Sequence, residues 1–185
     1  MKFISKKEVF LPPVNKGVTL IVTEDIRVNN FKKTFKKNFV DNEGFRKKYL
    51  KEFSQKLKLS NIFGGVAVNI LNSKYENLNK SNTDYVIHIS DLEITNRVEF
   101  IGSVGMGSNS FGGMSNSTSI EYCVINLKVE VYDAKTDKEI LDFVVIGEDS
   151  VFLFNFTETL NEAKTRTINH IVNYLKTGKV TYNKY

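Results

Sequence analysis

The sequence predicts an α+β domain, a mostly antiparallel sheet with two helices packed on one face, in the order β-α-β-β-β-β-α. Three observations predict it. Phe45, Tyr49, Phe53 and Leu57 recur at spacing four with Leu50 beside them, the stripe of an amphipathic helix over residues 43–58. Ile168, Ile171, Val172 and Leu175 run at i, i+3, i+4 and i+7, a second such stripe. Between them, residues 120–132 alternate: Cys123, Ile125, Leu127, Val129 and Val131 share one face, and Asn126, Lys128 and Glu130 share the other. That is the pattern of a sheet with one buried face.

The elements follow in order. Residues 1–17 form an extended lead-in, because the chain's two prolines, Pro12 and Pro13, stand together there. Residues 18–22 are apolar on both parities, as in a strand buried on both faces. Phe31, Phe35 and Phe39 recur every four residues with lysine pairs between them. Asp41 and Asn42 are placed to cap the helix that follows. Gly64 and Gly65 end that pattern, and residues 66–71 read as a strand. An Asn-rich polar stretch leads to a strong strand over 85–94, with room to run on to Ile101. Residues 102–119 hold five Gly, six Ser and no charge, which predicts a flexible connection. After the alternating strand comes a polar turn at 133–138 and a return strand over 140–146. Gly147, Glu148 and Asp149 read as a turn. Thr159 and Glu162 have capping-box spacing, and Gly178 sits where a helix stop belongs.

With 185 residues the chain is long enough for one well-cored domain, 1–185. No apolar run reaches the 18 or more residues of a membrane-spanning helix. The first ten residues lack the apolar stretch of a secretory signal, since Lys6, Lys7 and Glu8 interrupt it. The protein is therefore cytoplasmic, or its signal lies upstream of residue 1. One cysteine excludes an internal disulfide framework and any multi-Cys metal site. Charge is uneven: residues 31–60 carry ten basic and three acidic side chains. Only four of the 26 basic residues are Arg, which disfavours bidentate base readout.

Catalytic chemistry finds little support. His88 and His170 each read as packed residues, and Cys123 reads as a small buried hydrophobe. Asp91 and Glu93 share a strand face, and solvated acids are commoner there than an acid/base pair. Gly102, Gly105 and Gly107 do not have dinucleotide-loop order, and no cofactor or metal is expected. Two segments read as contact surfaces. One is Phe31, Lys32, Lys33, Phe35, Lys36 and Lys37, rings flanked by ammonium groups. The other is Met106, Phe111 and Met114, adaptable apolar groups set in the Gly/Ser connection. Packing against the domain itself is the competing reading for both.

Residues 124–148, VINLKVEVYDAKTDKEILDFVVIGE, and 157–178, TETLNEAKTRTINHIVNYLKTG, resemble the ends of several bacterial outer-membrane lipoproteins. The opening LPPVNKGVTLIV, followed by a helix and GGVAV, is similar to their β-α-β start. The groups are the lipopolysaccharide-assembly lipoprotein, the transporter-auxiliary lipoproteins and the curli-secretion lipoprotein domain. The resemblance implies a non-catalytic envelope assembly part, periplasmic and anchored at the outer membrane. It would bind a protein partner, another copy of itself, or an anionic lipid or glycolipid. The Phe/Lys segment is longer than the compact first connection of such proteins, and the chain lacks the length for the two long membrane-spanning hairpins of the curli-type pore. The alternative is a cytoplasmic basic module for anionic membrane or, less favoured, nucleic acid.

Overall fold

The computed structural model describes residues 15–22, 25–29, 41–68, 83–101, 118–151 and 155–180. In chain order the elements are β1 (Gly17–Val22), β2 (Ile26–Val28), α1 (Asn42–Ser60), β3 (Gly65–Val68), β4 (Tyr85–Ile101), β5 (Thr118–Asp133), β6 (Lys138–Ser150) and α2 (Phe156–Thr177). The sheet runs β3-β1-β4-β5-β6, with β2 added beside β4. Its long ladders, β4 with β5 and β5 with β6, are antiparallel; the short strands β1, β2 and β3 join in parallel. The α+β class and the two helices on one face are as the sequence predicts.

Both helices lie on the same face of the sheet, over one core. Tyr49, Leu50, Phe53 and Leu57 of α1 and Ile168, Ile171 and Leu175 of α2 are buried there with Leu20, Ile87, Ile89 and Leu92. The whole predicted strand face from Cys123 to Val131 is buried with them. The Tyr49 hydroxyl meets Thr167 Oγ1 at 2.9 Å, a polar tie between the helices inside the apolar core. Cys123 is fully buried, and burial pushes its thiol up to about 12, so it packs as a hydrophobe.

The structure corrects several local expectations. β2 is an additional strand of only three residues. β5 begins at Thr118, inside the segment expected as connection. Gly147, Glu148 and Asp149 do not turn; they continue β6. Gly147 is a packing glycine: a Cβ there would strike the Ala163 carbonyl oxygen and approach Thr167 Cγ2 to 2.6 Å, so α2 rests directly on the backbone. The cap of α2 is Asn155, one turn before Thr159. Its side chain accepts from the Glu158 amide, while the Glu158 carboxylate accepts from Asn155 Nδ2. Thr159 lies inside the helix, its hydroxyl donating to the Asn155 carbonyl. Asp41 caps α1 and Gly178, at φ 64°, ends α2.

Candidate functional site

The sheet face away from the helices was expected to be solvated, and part of it is not. Ile21, Val86 and Tyr132 form a small second apolar cluster there. Beside it Glu130 is buried with three donors around its carboxylate. Lys128 Nζ donates to Oε1 at 2.8 Å, Tyr132 donates to Oε2 at 2.8 Å, and His88 Nδ1 lies 3.2 Å from Oε2. The geometry follows from the strands: residues 128, 130 and 132 share a face of β5, and His88 stands directly across on β4. Burial would raise the Glu130 carboxyl, but the bonds from Lys128, Tyr132 and His88 outweigh it and hold it at about 2. Tyr132 is pushed up by burial and by the same carboxylate. This is a satisfied, charged cluster. A carboxylate held so low is a poor proton acceptor near neutral pH.

Asp91 and Glu93, the acids on β4, are engaged by β2. Arg27 Nη2 donates to both Asp91 oxygens at 2.7 and 2.9 Å, and Asn29 Nδ2 to Glu93 at 2.7 Å. Their role is to fasten a three-residue strand. His170 is buried, and burial lowers its pKa. Among the described residues no cluster of three or more His, Cys, Asp or Glu is arranged to hold a metal ion. No helix among them is long and apolar enough to cross a membrane.

The predicted contact residues Phe31, Lys32, Lys33, Phe35, Lys36, Lys37, Met106, Phe111 and Met114 lie outside the described residues. The positions that flank them are described. Asn29, whose amide donates to the Ile94 carbonyl at 3.0 Å, precedes the first segment, and the cap Asp41 follows it. Part of the predicted basic surface is visible on α1, where Lys47, Lys48, Lys51, Lys56 and Lys58 are exposed. A groove of about 210 Å³ between the helices is lined by Glu52, Gln55, Lys56, Leu59, Thr165 and Ile168, with Leu59 80 % exposed on its rim.

The second segment, 102–117, joins the ends of an arm. β4 and β5 stay paired as far as Ile101 and Thr118, but β6 reaches only to Ser150 opposite Tyr122, and β2 ends opposite Ile94. The last turns of the hairpin therefore project beyond the sheet's other strands. Val98, Phe100 and Ile101 on it are 41 %, 75 % and 49 % exposed. Val98 and Phe100 continue the helix-side face past the point where core covers it. On the opposite face Arg97 bonds Glu148 at 3.2 Å and Glu99 at 3.2 Å, with its guanidinium 4.2 Å from the Tyr122 ring centre. The arm's apolar exposure was not singled out in the sequence; the signal was the mismatch between a 17-residue strand and its 13-residue neighbour two places along.

No protein-family model matches the chain, and no curated protein matches it. Solved structures do share the fold. A neuraminyllactose-binding hemagglutinin homolog from Helicobacter pylori superimposes with a TM-score of 0.52 at 13 % identity, over 94 % of this chain and 89 % of its own. A PelC dodecamer from Paraburkholderia phytofirmans gives 0.51 at 10 % identity, over 95 % and 97 %. A protein from Xanthomonas campestris gives 0.51 at 12 % identity, over 93 % and 90 %. At these identities the likeness is one of fold.

Proposed function

We propose that this chain is a non-catalytic accessory or assembly protein of the bacterial envelope, working at the outer membrane by binding a protein partner or a glycolipid. The observation that carries the reading is the projecting β4–β5 arm, which leaves Val98, Phe100 and Ile101 in water, while the described apolar stripes of β5, α1 and α2 are buried. Exposed apolar groups gathered on one projection mark a contact surface. Met106, Phe111 and Met114, in the segment that joins the arm's two strands, would enlarge it. The sharing of this fold with a hemagglutinin homolog and with a protein that forms dodecamers supports an adhesion or assembly role. The sequence patterns over 124–148 and 157–178, which resemble those of envelope lipoproteins, support the choice of compartment. The acids Asp91, Glu93 and the buried Glu130 support a role without catalysis, since each is bound by structural partners.

The test is expression of the native gene in its own cells with a C-terminal tag, followed by fractionation and metabolic labelling with a fatty acid. Acyl label and recovery with the outer membrane are expected. Recovery in the cytosol without label would overturn the envelope reading. It would favour the second reading, a cytoplasmic module for anionic surfaces, for which the exposed lysines of α1 speak.

A further inference from the structure

We propose that a second copy of this chain pairs with the outer edge of the β4 arm, antiparallel about a two-fold axis at Val98, so that two sheets become one. This deepens the assembly reading by naming the partner, and rests on it only in taking the arm as a contact surface. The backbone direction comes first. The Ile94 carbonyl accepts from Asn29, on the β2 side, so alternation sends the N–H and C=O groups of Asn96, Val98 and Phe100 to that same side. The Glu121 carbonyl accepts from Val151, toward β6, which leaves Tyr122 and Ile120 facing Arg97 and Glu99 and confirms the parity. Among the described residues no strand pairs with the β2-side edge of β4 beyond Ile94, and residues 97–101 are exposed. Such an edge is a template for another strand.

Side-chain charge selects the occupant and the register. Centred on Val98, self-pairing sets Arg97 across from the second copy's Glu99, and Glu99 across from its Arg97. These fall at the non-hydrogen-bonded positions, where side chains approach most closely. Centring on Arg97 or on Glu99 instead would face like charges across the axis, so the sequence disfavours the neighbouring registers. On the other face Val98 meets its own symmetry mate, and each Phe100 reaches diagonally across it, covering the most exposed apolar groups of the arm. A lipid occupant would instead have to desolvate Arg97 and Glu99 on the same strand.

Sedimentation equilibrium on the full chain tests this. The expected particle is twice the 21.1 kDa protomer. Val98→Pro removes an outward N–H without touching the β4–β5 ladder, so it should give a folded monomer whose melting temperature matches that of the wild type diluted to the monomer. Arg97→Glu and Glu99→Arg each face like charges, and each should weaken self-association by about tenfold or more. Mixing those two variants restores opposite charges at both positions and should restore pairing between them. A wild-type chain that stays monomeric, a dimer that survives Val98→Pro, or a mixture no tighter than either variant alone would each overturn the proposal. So would a monomer that binds vesicles of phosphatidylglycerol through Phe100, which would give the surface to lipid. None of these outcomes bears on the acyl labelling and fractionation that test the envelope assignment.

Discussion

Glu130 keeps its charge because three donors surround a carboxylate that water barely reaches. Its folded pKa of about 2 lies below the ordinary 4.5, so its contribution to stability is present above that ordinary value and is lost as pH falls toward 2. The loss is roughly 2 kcal/mol after discounting for solvent screening. Denaturant titrations at pH 6 to 2 should show the wild type losing stability relative to Glu130→Gln through that window. A parallel fall of both proteins would assign acid sensitivity to other carboxylates. Gly147 makes a second prediction, this time steric. Gly147→Ala puts a methyl group into the Ala163 carbonyl and should cost about 1–3 kcal/mol by overpacking, read as a lowered urea midpoint. The sequence suggested neither role. Glu130 looked solvated because its partner His88 is 42 residues away and appears only once the β4–β5 register is known. Gly147 looked like a turn residue because a sequence does not distinguish a glycine that bends from one that makes room.

The helices were the most legible elements, since each has an apolar stripe of its own period; α2 stops at Gly178 as read, whereas α1 stops at Asn61, at φ 53°, ahead of the two glycines expected to end it. The start of α2 was not. The Phe-rich run 151–156 hid Asn155, and the pair Thr159 and Glu162 offered the same spacing one turn later. Asn155→Ala should cost about 1 kcal/mol, because the cap bond to the Glu158 amide is lost and that amide lies in the first turn. Thermal melts measure it; an unchanged midpoint would return the cap to Thr159. β2 escaped notice for a different reason: three residues carry no period, and what fixes it is the pair Arg27 to Asp91 and Asn29 to Glu93 on a distant strand. The same pairing explains why those two acids, candidates for chemistry on spacing alone, are occupied. The contact residues chosen from sequence rested on composition rather than on a fold that buries or frees them. The described structure shifts attention from them to the strand ends that carry one of their segments.

At the scale of the whole molecule, charge and most of the apolar exposure are separated among the described residues. The exposed lysines of α1 lie on the helical layer, while Val98, Phe100 and Ile101 are uncovered on an arm of the sheet, and Leu59 is the exposed large apolar side chain that α1 carries. Binding to anionic vesicles, followed by co-sedimentation, should therefore fall steeply as salt screens the lysines, and should weaken further in a Lys47→Glu, Lys48→Glu, Lys51→Glu variant. Binding indifferent to salt would place the contact on the arm instead. The uneven strand lengths also imply a graded native state. Over the core, β4 and β5 are held on both sides and roofed by helices; along the arm, each has one neighbour among the described residues. Amide hydrogen exchange should then resolve two populations. Amides such as those of Ile125 and Leu127 open only with global unfolding, whereas the arm opens on its own. Within the arm of the unpaired protomer, reached by dilution, the protection should alternate residue by residue, slow at Arg97 and Glu99, whose N–H groups face β5, and fast at Val98 and Phe100, whose N–H groups face the outer edge. The odd–even comb would flatten wherever something comes to rest along that edge.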